Sequence, residues 1–409
     1  MNRFFKIFTA AAATFANAPK AARIGMFLFF AAAAADGILM PFFALWAHNE
    51  AGIRIEFIGV LLGCYAAGEL LATPFVGGIA DRVGRRPVLL VSTCGVGCGF
   101  LLLFLVHGAL GAAAALITIG VFESVLHPTA AAVIADVVPA QTRREHFALN
   151  RVMSNAGSMA GPALGAILAL HSLGFVFLGA AVTLLLGALV VAVFLRETRS
   201  PSAAPGDDNG EESLLALTAV FRDSRLAGLL LPIAALDIAA SWIQAVMPLY
   251  ADAAGALTAS GIGLLFTYEG ALGVVLQLPL TQATSRMSGF SIVLAGGAAQ
   301  ALAFASLVVS PALPFLVIAV TAFALSQMLS RPLVQAIITE LAPRHAQATY
   351  QAAFSVASDL RDAAGPAIGT WLYAVSALLP WSGGVAVSLA AAFGLAVAAR
   401  RHERGHGNR

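Results

Sequence analysis

Apolar residues in this chain fall in long unbroken runs, unlike the alternating or single-stripe patterns of half-buried strands and surface helices. Twelve runs stand out, bounded by charges or turn residues, and each is close to the roughly 20 residues that a helix needs to cross a hydrocarbon core. They cover residues 24–46, 57–80, 88–106, 110–138, 147–170 and 173–195, then 227–250, 262–284, 290–310, 312–340, 348–374 and 380–399. The pattern predicts an all-α membrane protein of 12 transmembrane helices. One long polar stretch, 196–225, interrupts it, with Ser200-Pro201-Ser202 and the acidic patch Asp207, Asp208, Glu211 and Glu212. It reads as a solvated linker. On this reading residues 1–195 form an N-terminal six-helix bundle with a cytoplasmic arm, and 226–409 a C-terminal six-helix bundle with a short tail.

The polar positions also set an orientation. With the N-terminus read as cytoplasmic, 20 of the 23 basic side chains fall in inside segments and only Arg54 in an outside loop. Such asymmetry obeys the positive-inside rule and predicts a plasma (inner) membrane protein with both termini cytoplasmic. Arg3, Lys6 and Ala16-Asn17-Ala18 imitate a secretory signal, but cleavage there would invert every later loop against its charge. An uncleaved, partly helical arm is expected instead.

The two halves repeat. Pro128, Asp136, Pro139, Gly161-Pro162 and Gly165 match Pro332, Glu340, Pro343, Gly365-Pro366 and Gly369 at one offset of 204, as Arg82 matches Arg286. Met40-Pro41 matches Met247-Pro248 at 207. A duplicated unit with an even number of spans keeps its orientation, so the two bundles are pseudo-symmetric about an axis along the membrane normal, a symmetry found in secondary transporters.

Composition sharpens this picture. The chain is 59% hydrophobic and 11% charged, with a mean hydropathy of +0.87, against about 25% charge in a soluble domain. Most of its surface must face lipid. A net charge of +2 gives no electrostatic footprint for nucleic acid. The two lysines, Lys6 and Lys20, sit in no phosphate-cradling loop. Cys64, Cys94 and Cys98 lie in apolar runs without companion ligands, so no metal site is expected. The outside loops are too short for a catalytic constellation, and the chain is not expected to be an enzyme.

The loop after the second run reads Gly77-Gly78-Ile79-Ala80-Asp81-Arg82-Val83-Gly84-Arg85-Arg86-Pro87. It closely resembles the signature of the major facilitator superfamily. The fifth run, Gly157-Ser158-Met159-Ala160-Gly161-Pro162-Ala163-Leu164-Gly165, is similar to a motif of that superfamily's proton-coupled drug antiporters, and Asp36, Gly37 and Pro41 to its tetracycline and multidrug exporter branch. The resemblance implies the 12-helix fold of two six-helix bundles. It also implies a latch in which Asp81 locks one state near the start of the eleventh helix. Such antiporters carry a relay arginine in the fourth span; here that span offers Glu123 and His127 instead.

Gly161-Pro162 and Gly365-Pro366 interrupt helical hydrogen bonding within spans, as bends that close the halves or as glycine contacts for close packing. The ionisable residues inside spans carry the functional information, since an ionised group facing lipid costs about 2.5–3.5 kcal/mol or more. Asp36, Glu69, Glu123, Asp237, Glu269, Asp359 and Asp362 stand against Arg331 and Arg361. Asp36, Glu123, His127, Asp237, Glu269 and Arg331 are the candidates for proton coupling or the substrate cavity. Asp359, Arg361 and Asp362 form a candidate intramembrane charge network, in which Arg361 can neutralise only one of the two acids well. Trp242, Tyr250, Phe266 and Tyr268 are candidate cavity contacts.

The expectation is a proton-coupled exporter of small amphipathic molecules that works by alternating access. It would use the proton gradient and no cofactor. Its partners would be a small-molecule substrate, protons and the lipid bilayer, with no nucleic acid, and the chain would act as a monomer. The alternative is a dedicated carrier for one metabolite, such as a siderophore or a sugar, in either direction.

Overall fold

The computed structural model describes residues 14–139, 141–198, 224–284, 286–341 and 347–406. The N-terminal arm to residue 13 and most of the linker, including its acidic patch, lie outside the described residues. Twelve long helices follow the apolar runs. They are α1 (Lys20–Asn49), α2 (Ile55–Val83), α3 (Arg85–Leu105), α4 (Ala109–Val137), α5 (Arg143–Leu168) and α6 (Leu173–Phe194). The second set is α7 (Ser224–Ala245), α8 (Ala259–Thr284), α9 (Gly289–Val309), α10 (Leu313–Leu341), α11 (Gln347–Val375) and α12 (Leu379–His406).

Nine of the described helices are long and apolar enough to cross a membrane. Helix α5 is not among them because Arg151 and its Ser, Asn and Gly positions dilute its hydropathy. The seventh run differs from the expected single helix. It breaks at Val246 and resumes as the short segment Met247–Ala253, where Pro248 fits a first turn because it has no N–H to donate. Helix α1 passes through Pro41 without a break.

Helix ends follow local chemistry. Ser172 accepts a hydrogen bond from Gly174 N at 3.1 Å at the start of α6, and Ser288 accepts one from Ser291 N at 3.2 Å at the start of α9. These side chains satisfy amides that have no partner within the helix. Gly84, at φ 109°, starts α3 in a backbone conformation that side chains disfavour.

Cα proximity divides the chain into two units, Met1–Phe43 with Cys64–Asp208, and Ala44–Gly63 with Asn209–Arg409. Residues 44–63, the end of α1 and the start of α2, group with the second unit. There Asn49 Nδ2 donates to Asp252 Oδ2 at 2.8 Å, and Gly59 meets the Pro366 carbonyl and Thr370 of α11.

The same packing recurs within each unit. Helix α3 packs on α4 and α6, and α9 packs on α10 and α12. In the first unit Gly161 of α5 lies against the Ala34 carbonyl of α1; in the second, Gly365 of α11 lies against Ser241 of α7. Ala34 and Ser241 are related by the 207-residue offset that relates Met40 to Met247. Equivalent glycines therefore meet equivalent helix positions, as a duplication requires. Both Gly-Pro pairs lie inside continuous helices.

Candidate functional site

Two close helix crossings build the site in the first unit. Gly68 of α2 faces the backbone of Ile117 and Val121 on α4, and Gly120 of α4 faces the Tyr65 carbonyl on α2. With no side chain between them the two backbones approach closely, as small residues allow in membrane proteins. Tyr65 and Glu69 at the crossing on α2 and Glu123 one turn beyond Gly120 on α4 are thereby pressed together. Gly37 of α1 sits against Ser158 and Pro162 of α5, which fixes its neighbour Asp36 on the same helix.

At the meeting point, Glu123 is 2% exposed. Its Oε2 stands 3.2 Å from the Tyr65 hydroxyl and its Oε1 stands 3.3 Å from His127 Nε2. The same hydroxyl lies 3.2 Å from Glu69 Oε1. Phe29 of α1 packs edge-on against the His127 ring at 5.1 Å. Asp36, Glu123 and His127 each offer a ligand-type atom, all within 4.8 Å of one another. Three helices thus deliver three carboxyl groups, a phenol and an imidazole to one place.

Chemically this arrangement can hold and pass protons. Glu123 and His127 stand on successive turns of α4, so an imidazolium would neutralise a carboxylate there, and a neutral imidazole would accept from a carboxylic acid. The donor types also suit a divalent cation. Since Glu123 already engages His127 and Tyr65, no metal is assigned to these atoms.

The other candidates are distributed as follows. Asp237 on α7 and Glu269 on α8 belong to the second unit, are partly buried, and each has an interaction partner. Next to Asp237, the Leu236 carbonyl accepts from Gln300 Nε2 at 2.9 Å. Arg361 grips Asp362 with two hydrogen bonds, Nε to Oδ1 at 2.7 Å and Nη2 to Oδ2 at 3.0 Å, so the arginine neutralises that acid. The side chains of Arg331, Asp359, Gly77, Gly78, Asp81 and Arg82 lie outside the described residues, as does the latch built on Asp81.

The described part of the signature loop has a definite role. Glu197, just after α6, accepts from Arg85 N at 2.9 Å and from Arg86 N at 3.2 Å. A carboxylate at the start of α3 satisfies two unpaired amides and meets the positive end of the helix. Arg85 Nε reaches Asp136 Oδ2 at 3.4 Å and Arg86 Nη2 donates to the Ala192 carbonyl at 2.7 Å. The loop therefore ties α3 to the ends of α4 and α6.

Three of the four aromatic candidates are buried. Trp242 and Tyr250 are packed in the interior of the second unit: Trp242 against Phe304 at 6.2 Å, Tyr250 against Trp381 at 5.2 Å, with its hydroxyl donating to the Leu307 carbonyl at 3.1 Å. Phe266 is likewise buried, whereas Tyr268 is 38% exposed and within 3.0 Å of Thr321 Oγ1. Tyr65 and Glu197 were not among the residues singled out from sequence. The available signal for Tyr65 was its i, i+4 spacing to Glu69; for Glu197, none exists without knowing that α6 ends beside α3. A cavity of about 500 Å³ is lined by Leu71, Val88, Val91, Phe122 and Val125, and Glu123 is not among its lining residues. Its walls are almost wholly apolar, so it does not hold the site's chemistry.

The pattern of the Major Facilitator Superfamily matches residues 25–366. The chain is 29% identical over 342 residues to the tetracycline resistance protein, class C, of Escherichia coli, covering 80% of this chain and 82% of that protein. It is 25% identical over 351 residues to multidrug resistance protein 1 of Bacillus subtilis (strain 168), covering 81% and 85%. Among solved structures, a POT family transporter in complex with 5-aminolevulinic acid superposes with a TM-score of 0.76 at 12% identity, over 94% of this chain and 96% of that one. That likeness concerns the fold.

Proposed function

The chain belongs to the major facilitator superfamily, and from that premise of a multi-pass membrane transporter we propose that it exports small amphipathic molecules in exchange for protons. The observation that carries the proposal is the cluster inside the first unit in which Tyr65 bridges Glu69 and Glu123 while Asp36 and His127 stand beside Glu123. Acids brought together in a poorly hydrated place are costly when all are ionised. Such a cluster stores a proton more readily than it stores nothing, and a substrate cation can replace that proton.

The cycle follows from this. Proton uptake neutralises the cluster and releases substrate; proton loss leaves a negative site that takes the next amphipathic, cationic molecule. Alternating access places the two events on opposite sides of the membrane. The relatives' names, tetracycline resistance and multidrug resistance, support drug-like substrates. The distribution of 20 of 23 basic residues supports a plasma membrane location with both termini cytoplasmic. Asp237, Glu269 and Arg331 are proposed to contribute cavity charge from the second unit, and the Gly-Pro pairs to serve as pivots. No cofactor takes part beyond the proton gradient, and the working unit is a monomer.

The test is uptake of tetracycline, ethidium and an iron–siderophore complex into inside-out vesicles, with and without an acidic interior. Accumulation that needs the acidic interior and extends to several compounds supports the reading. Gradient-independent movement would sink proton coupling, and a single accepted compound would favour a dedicated carrier.

A further inference from the structure

Tyr65 brings to the cluster a hydroxyl with a single hydrogen. Its oxygen stands 3.2 Å from Glu69 Oε1 and 3.2 Å from Glu123 Oε2, so carboxyl groups from two different helices compete for that hydrogen. An ionised carboxylate only accepts. If both were ionised, one would receive the hydrogen and the other would face the phenol's lone pairs at hydrogen-bond distance. That contact is repulsive, and more so where water is scarce. Both contacts are satisfied when one carboxyl is protonated: its O–H donates to the phenol oxygen while the phenol O–H donates to the other carboxylate.

We infer that Tyr65 joins Glu69 and Glu123 into a proton-sharing pair and is the positioning residue through which the pair's one proton changes sides. This rests on the proton-coupled reading above and deepens it. The step balances without an external reagent. The Glu69 O–H bond breaks as an O–H bond forms on the Tyr65 oxygen, and the original phenol O–H bond breaks as Glu123 gains a proton. Glu69 ends ionised, Glu123 neutral and Tyr65 as it began.

The two carboxyls differ in burial. Glu69 is partly exposed, whereas Glu123 is 2% exposed and Tyr65 9%. The phenol therefore connects a half-buried carboxyl to a fully buried one whose other oxygen faces His127. Among the described residues, Asp36 from α1 and His127 from α4 itself stand beside Glu123. The Gly68 and Gly120 crossing holds the two helices close enough for one phenol to span them.

The experiment is an infrared pH titration of the protonated-carboxyl absorption in H2O and D2O. It uses the purified full-length protein and its Tyr65→Phe, Glu69→Gln and Glu123→Gln variants. A shared proton predicts that Glu69→Gln and Glu123→Gln each leave one carboxyl whose midpoint differs from both steps of the wild-type titration, because the coupling between the sites is lost. Tyr65→Phe, which keeps the ring and loses the bridge, is expected to shift the band's midpoint by about one pH unit or more, because the coupling between the sites is broken. A Tyr65→Phe titration that superimposes on wild type overturns the inference. Should that variant fail to fold, the two glutamine variants decide: a displaced midpoint in both supports proton sharing, and single-variant titrations that sum to the wild-type curve overturn it. The titration involves no transport, so a carrier indifferent to the proton gradient would overturn the proposed function while leaving this result standing.

Discussion

Glu197 shows how much a single side chain contributes to the architecture. Its two oxygens take the first two amides of α3 at a point where Gly84 has already turned the chain at φ 109°. Removing such a cap costs about 1 kcal/mol. Glu197→Ala is therefore expected to lower the thermal unfolding midpoint in detergent by a few degrees, and an unchanged midpoint would show that water replaces the carboxylate without loss. At the site, Asp36→Asn and Glu123→Gln remove the acids without changing shape. At least one is expected to abolish the response of transport to the proton gradient in the vesicle assay. Unchanged kinetics in both would refute the residue assignment. Of the cluster's members, Asp36, Glu69, Glu123 and His127 were legible in the sequence because charge inside an apolar run is conspicuous. Tyr65 was not, because a phenol in such a run looks like packing until its neighbours across the crossing are known.

At the scale of elements, glycine placement sets which helices meet and therefore which acids meet. A Cβ on Gly120 would enter the Tyr65 carbonyl and one on Gly161 the Ala34 carbonyl. Forcing bulk into a closely packed contact typically costs about 1–3 kcal/mol. Gly120→Val and Gly161→Val are thus expected to reduce folded yield and thermal stability, with Gly120→Val also separating Tyr65 from Glu123 and so altering the pH profile of transport. Gly273 on α8 has nothing within 4 Å of the added carbon, so Gly273→Ala is expected to leave stability equal or slightly raised. Equal losses at all three positions would contradict the close-crossing account. Apolar runs gave the helices because the hydrocarbon span imposes their length. The break at Val246 was not legible, since Pro41 occupies the equivalent place in α1 without breaking it. The signature loop was legible as a motif, but its tie to Glu197 and Asp136 depends on helix ends brought together only in the folded chain.

For the whole molecule, duplication is the unifying feature. One offset relates Pro, Gly and acidic landmarks in the two halves, and the fold repeats the α5 on α1 contact as α11 on α7. The charge content does not repeat in the same way: Glu123 and His127 in α4 correspond to Gln327 and Arg331 in α10. A duplicated scaffold thus carries an asymmetric set of titratable groups, and the proposed proton-coupling cluster belongs to the first half. On this account the halves supply the motion and the first unit supplies the coupling. The most direct measurement is proton movement during transport, followed with a pH-sensitive dye in inside-out vesicles whose interior has been made acidic. Addition of tetracycline or ethidium is predicted to release protons from the interior in wild type and to release none in Glu123→Gln. Accumulation of substrate with no accompanying proton release would contradict the account.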